Sequence, residues 1–247
     1  MDTELVILVL CFFLIALIYS SVGFGGGSSY LALLAVMGVH FELIRPTALL
    51  CNIVVVCGGT YVFWRAGAID FRRTWPFICT SIPLAFVGGL WKIEDAGFFF
   101  IVLGICLLVA AILLWINPTA SKGNGYASPL LNAGLGGAIG FLSGFVGIGG
   151  GIFLSPALHL LNWGEAKKIS AMASLFILVN SISGLAGQFA AAHAVPLYFI
   201  APLLGAVLLG GQIGSRLGAR KFDPVYIKRI TSVVIFAAAL KILYDHL

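Results

Sequence analysis

Charge is what this chain has least of. Only 9% of its 247 residues are Asp, Glu, Lys or Arg, against 61% hydrophobic, where a soluble domain carries roughly 25% charged residues. Stretches without any charge run over 5–39, 46–64, 74–91, 96–121, 123–164 and 169–215. Several exceed the roughly 20 residues needed to cross the hydrocarbon of a bilayer, which excludes a water-soluble globular domain. Acidic residues are also missing from the apolar stretches: Glu42, Glu94 and Glu165 stand at their edges, which argues against a buried carboxylate proton relay. The five cysteines (Cys11, Cys51, Cys57, Cys79, Cys106) form no C-x-x-C pair, and a metal or redox role has no ligand spacing to rest on; they read as packing residues. No basic n-region precedes the first apolar stretch, which follows Asp2 and Glu4 and reads as mature structure instead of a signal peptide. The net charge of +5 comes without an aromatic-interleaved basic patch, so nucleic acid is no partner.

Catalytic machinery is lacking too. Gly140-Phe141-Leu142-Ser143-Gly144 resembles an intramembrane serine protease motif, but its serine spacing is off by one and no histidine is placed as base. The glycines after Gly23 are no dinucleotide fingerprint, having neither a βαβ context nor an acidic ribose partner. The expectation is no enzyme and no cofactor.

Glycine, in contrast, is plentiful and patterned. Val22-Gly23-Phe24-Gly25-Gly26-Gly27 and Val146-Gly147-Ile148-Gly149-Gly150-Gly151 match at five of six positions, 124 residues apart. Ala48 answers Ala171 at an offset of 123, and Gly88-Gly89 answers Gly210-Gly211 at 122. A fixed period of this kind marks a duplicated unit. Punctuation by Pro, Gly and charge gives repeat 1 over 1–117, with a hairpin over 4–39 and spans over 45–64, 72–91 and 96–116. After a linker over 118–129 comes repeat 2 over 130–247, with a hairpin over 130–163 and spans over 167–192, 196–215 and 226–245. Consecutive glycines break helices, so each opening segment is expected to be two helical arms joined at a non-helical tip. The arm from Ser28 to Val39 reaches about 18 Å at 1.5 Å per residue, short of a core of about 30 Å.

Basic residues choose the topology. If each opening segment turns back to the side it entered, 11 of the 14 basic residues share one face, leaving Arg45, Lys92 and Lys241 on the other. A single kinked crossing would instead set Lys167, Lys168 and the 216–229 cluster against Arg65, Arg72 and Arg73. The positive-inside rule favours the hairpins. The expected fold class is therefore all-α: a polytopic membrane protein of two inverted repeats, each a glycine-broken hairpin plus three transmembrane helices. Both termini are expected outside, and the two tips should approach one another near mid-bilayer, the plan of secondary transporters.

Backbone without hydrogen bonds cannot face lipid, so the tips should line a polar space. The helix starting at Gly27 presents its amides and positive dipole end there, beside Ser28 and Ser29, which suits an oxyanion. The candidate substrate-binding residues are Gly25, Gly26, Gly27, Ser28 and Ser29 at the first tip and Gly149, Gly150 and Gly151 at the second, with Asn52, Ser174 and Asn180 from the flanking spans. Against these stands the plainer reading that glycine and intramembrane polar groups serve helix packing. It is preferred for Gly58-Gly59, Gly134-Gly136-Gly137 and Gly210-Gly211, and stands level with function for Asn52 and Asn180. Arg45, before Pro46 at the start of a span, could attract anions or anchor at lipid headgroups, and anchoring is preferred; His159 and His193 are expected to be packing or interface residues.

Val22–Gly27, Val146–Gly151 and the Gly67-Ala68-Ile69-Asp70 loop followed by Gly88-Gly89 resemble the sulfite exporter TauE/SafE family, also called the four-toluene-sulfonate uptake permease family. The resemblance covers about residues 5–245. It implies transport of a sulfur-containing anion such as sulfite, sulfoacetate or another sulfonate, or of a related carboxylate, across a bacterial cytoplasmic membrane. The residues themselves indicate a small anion, moved by a secondary transporter working by alternating access. A passive anion channel is the alternative. A coupling proton or sodium ion, the transport direction and homo-oligomerisation stay open.

Overall fold

The computed structural model describes residues 3–21, 23–116, 128–191, 196–221 and 224–247, without the side chains of 217–228. Most of the expected linker, His193, Lys122 and the side chains of Arg220, Lys221 and Lys228 lie outside the described residues. The described residues are helical and contain no strand. The helices are α1 (Thr3–Ser20), α2 (Gly27–Val36), α3 (Phe41–Arg65), α4 (Phe71–Leu90), α5 (Ala96–Trp115), α6 (Pro129–Val146), α7 (Gly151–Leu160), α8 (Ala166–Ala190), α9 (Leu197–Lys221) and α10 (Pro224–His246). Six of them, α1, α3, α5, α6, α8 and α9, are long and apolar enough to cross a membrane, whereas α2 and α7 are short. This is a multi-pass membrane protein.

Local chemistry sets the helix ends. Asp70, Asp95 and Ser128 accept hydrogen bonds from the amides of Arg73 (3.2 Å), Gly97 (2.8 Å) and Leu131 (3.2 Å), satisfying amides that a helix start leaves unpaired. The caps of α2 and α7 are different. Gly26 (φ 90°) and Gly150 (φ 81°) occupy the left-handed region and offer no side-chain cap, a conformation that costs an ordinary residue about 1 kcal/mol or more. Both expected hairpins are therefore present as an α1–α2 and an α6–α7 pair. Phe12 stacks on Tyr30 at 4.6 Å between the arms of the first.

Helix pairing follows one rule. The first helix of each half packs on the fourth of the other, α1 on α9 and α6 on α4, while α3 meets α8 and α5 meets α10. Moving every label by five returns the same set of pairs. The seam of α4 with α6 is parallel: Gly136, Gly140 and Gly144 lie against Phe77, Ser81 and Ala85, stepping four residues on both helices. Small residues at this spacing let backbones touch where lipid supplies no hydrophobic driving force. Gly210 and Gly214 of α9 accommodate Phe13 and Leu17 of α1 in the same sense. Helices α3 and α8 run antiparallel, as do α5 and α10. Thr60, late in α3, bonds Ser174, early in α8 (2.8 Å), whereas Leu49, early in α3, lies near Gly184, late in α8. In the other pair, Ser232 of α10 donates to Ala111 O of α5 (2.7 Å), and Leu243 covers Gly104.

The hairpins reach deeper than mid-bilayer tips would. Call the face where α3 begins the first face and the one where it ends the second. A Cβ on Gly23 would lie 3.2 Å from the Phe63 ring and 3.4 Å from Ser170 Cβ, residues near the second face. Four residues later, Gly27 lies against Asn52, the middle of α3. So α1 runs most of the way across, an extended elbow climbs back, and α2 starts at mid-depth. The second hairpin mirrors this: Gly147 rests on Arg45 near the first face, and Gly151 abuts Ile177 in the middle of α8. At 18 residues, α1 is about 27 Å long, close to the hydrocarbon thickness. The starts of α2 and α7 thus lie beside the middles of α3 and α8, while the glycines before them lie nearer the helix ends.

Candidate functional site: a cavity between two helix starts

The two elbows meet around one side chain. Asn52, fully buried on α3, donates through Nδ2 to the carbonyl of Ile148 in the second elbow at 3.1 Å. A Cβ on Gly25 would lie 2.5 Å from Asn52 Oδ1, and one on Gly149 would lie 2.5 Å from Nδ2. Only glycine lets both backbones close on this amide.

Beside this junction lies a cavity of about 30 Å³ lined by Gly25, Gly26, Gly27, Ser28 and Asn52, by Ile148, Gly151 and Ile152 of the second elbow, and by Tyr19, Phe24, Leu114, Ile177 and Thr231. One water needs roughly 10–15 Å³ on the same measure, so the space suits two waters or one small oxyanion. Gly26 O already accepts the amides of Ser29 and Tyr30 (both 3.0 Å), and Gly150 O those of Phe153 (3.1 Å) and Leu154 (3.0 Å). No backbone acceptor among the described residues takes the amides of Gly27 and Ser28, or of Gly151 and Ile152. Unpaired amides at a helix start, with the positive end of the dipole behind them, form a site for negative charge.

Hydroxyls complete the wall. Tyr19 OH lies 2.6 Å from Ser29 Oγ, and Ser28 and Thr231 share the cavity wall with Tyr19. All four residues are buried. Among the described residues no carboxylate lies in this wall: Asp70, Asp95 and Glu165 stand at helix caps.

Of the candidates named from the sequence, Gly25, Gly26, Gly27, Ser28, Asn52 and Gly151 line the cavity, Ser29 holds Tyr19, and Gly149 backs Asn52. The remaining three turn elsewhere. Gly150 faces Phe176 and Ile139, Ser174 is joined to Thr60, and Asn180 donates to Phe176 O on its own helix at 2.8 Å. Tyr19 and Thr231 escaped sequence reasoning, since each stands beside other polar residues at the end of an apolar run, Tyr19 before Ser20 and Ser21 and Thr231 between Arg229 and Ser232. Arg45 corrects an expectation. It does not sit among headgroups: it is 3% exposed and donates to the carbonyls of Gly88, Trp91 and Gly144 at 3.2–3.3 Å. The reason is its position in the first turn of α3, against the carboxyl ends of α4 and α6.

The family model described as sulfite exporter TauE/SafE matches residues 8–242. The chain belongs to the sulfite exporter TauE/SafE family. Curated relatives share its full length. The "Probable membrane transporter protein y4hK" of Sinorhizobium fredii (strain NBRC 101917 / NGR234) is 36% identical over 249 residues, covering 99% of this chain and all of the relative. The "Probable membrane transporter protein YunE" of Bacillus subtilis (strain 168) is 25% identical, with 97% of each chain covered. No solved structure matches the chain. Family and relatives alike place this TauE/SafE chain among membrane transporters.

Proposed function

We propose that this TauE/SafE chain is a secondary transporter that binds one small sulfur-containing oxyanion, sulfite or a compact sulfonate, between the starts of α2 and α7. Rocking of two inverted repeats would expose it to either side in turn. The observation that carries the reading is the single cavity shared by both elbows, where unbonded amides and the hydroxyls of Tyr19, Ser28 and Thr231 converge with no carboxylate. Repeats of opposite orientation are supported by the pairing that survives exchange of the halves and by antiparallel contact of α3 with α8 and of α5 with α10. A two-fold axis relating two antiparallel helices lies across them, hence in the membrane plane. The placement of basic residues supports a bacterial cytoplasmic membrane with both termini outside.

A carrier is favoured over a passive channel because both elbows are packed on neighbouring helices, Gly147 against Arg45 and Gly23 beside Phe63 and Ser170. The cavity volume favours sulfite over aromatic sulfonates. Counterflow of labelled sulfite in proteoliposomes tests the proposal. Saturable exchange, competed by sulfite and methanesulfonate but not by toluenesulfonate, is expected; flux that rises linearly with concentration would instead indicate a channel, and no flux of any of these anions would overturn the substrate class.

A further inference from the structure

Arg45 is the one Lys, Arg, Asp or Glu among the described residues that is buried. Its guanidinium is held by three backbone carbonyls: Nη1 donates to Trp91 O at 3.3 Å, and Nη2 to Gly88 O at 3.2 Å and Gly144 O at 3.3 Å. Nε meets no acceptor, and no carboxylate among the described residues pairs with the charge. Gly88 and Trp91 lie at the carboxyl end of α4, and Gly144 at that of the parallel α6. Two dipole ends attract a cation, yet they do not neutralise it, and a buried charge prefers an opposite charge.

Its location gives the arrangement a purpose. Arg45 precedes Asn52 by seven residues, two helical turns, so both lie on one face of α3 about 10.5 Å apart. The second elbow passes over this same face, Gly147 against Arg45 and Gly149 against Asn52. The backbone and Cβ of Arg45 therefore support the second elbow on the first-face side of Asn52, while its guanidinium reaches the ends of α4 and α6. The first elbow has no such support: at the repeat offset of 123 the counterpart of Arg45 is Lys168, which is exposed, and Gly23 lies beside Phe63 and Ser170 instead.

We propose that Arg45 is a gate on the first face that recognises the anion: when that face opens, its guanidinium exchanges the carbonyls of Gly88, Trp91 and Gly144 for two oxygens of the entering oxyanion. The inference rests on the transport reading above. A planar fork suits a bidentate oxyanion contact, which a lysine ammonium cannot reproduce.

Two measurements on the full-length protein test it. In orientation-mapped proteoliposomes, Arg45→Lys should raise the half-saturating sulfite concentration on the first face about tenfold and leave the value on the second face within about twofold. A merely structural residue would lower the maximal rate from both sides without this asymmetry. Separately, with the native cysteines replaced, Ala48→Cys lies one turn from Arg45 on the same side of α3 at a fully buried position. A membrane-impermeant maleimide on the first face should label it several-fold faster when Arg45→Gln is added. Equal shifts on both faces, or labelling that ignores Arg45, overturns the gate while wild-type exchange leaves transport standing. Labelling that depends on Arg45 in a protein that moves no sulfite would support the gate and remove the substrate.

Discussion

Gly27→Ala is the most economical probe of the junction between the elbows. Gly27 has no left-handed φ, so alanine is allowed by the backbone, and as the first residue of α2 it would gain up to about 1 kcal/mol in helix propensity. Space decides the outcome. The new Cβ would lie 2.5 Å from Ile148 O and closer still to Asn52 Nδ2, where ordinary contact begins at 3.4 Å; the shortfall is about 0.9 Å. Neither neighbour can yield freely, since Asn52 and Ile148 are bonded to one another and buried. Overpacking of this kind costs about 1–3 kcal/mol, which outweighs the propensity gain and leaves a net loss of about 1 kcal/mol. At this chain length that lowers the melting temperature by roughly 2–4 °C. The functional effect should be larger, because a methyl group enters a cavity of about 30 Å³. Sulfite-dependent thermal stabilisation and counterflow should both disappear while the purified protein remains monodisperse. Gly134→Ala, where a Cβ meets nothing within 4 Å, is the control and should be neutral. If Gly27→Ala is stabilised by sulfite and exchanges it as the wild type does, the cavity between the helix starts is not the binding site.

Asn52→Asp should abolish anion-dependent stabilisation, because it sets a negative charge against the amides meant for the substrate. Asn52→Ala should cost about 1–3 kcal/mol in thermal or denaturant stability, since Ile148 O is left buried and unpaired. Tyr19→Phe keeps the ring and removes the hydroxyl that holds Ser29; sulfite affinity measured by thermal shift should fall several-fold with stability lowered by about 1 kcal/mol. Gly144→Ala would drive a Cβ into Ala85 O across the α4–α6 seam. It should reduce the yield of folded protein and lower the melting temperature by several degrees, and a normal melting curve would show that the seam is not as tight as the contacts indicate.

Much of the architecture was legible because it rests on local features. Glycine triplets break helices wherever they occur, so both hairpins could be placed to within a few residues. The duplicated motif suggests two halves, and the principal helix pairs are exchanged among themselves when every label moves by five. Span boundaries were looser: α3 begins at Phe41 and carries Pro46 inside it at the loss of one helical hydrogen bond, and α9 continues past the expected end at residue 215 to Lys221. At the site, the elbow glycines and Asn52 were readable as backbone breakers and as a costly polar group. Their likeness to Ser174 and Asn180 was misleading: those two are polar groups of the same kind that bond within the helix bundle away from the cavity.

The sequence by itself determined the solvent, the number of apolar segments, their breaks and their duplication, because each depends on composition and spacing along the chain. Tertiary structure alone decided which side of each helix faces inward. A helix that is apolar all round carries no stripe from which its rotation can be read, so only packing could bring Tyr19 and Thr231 to the cavity, turn Asn180 onto its own helix, and bury Arg45 between the ends of α4 and α6.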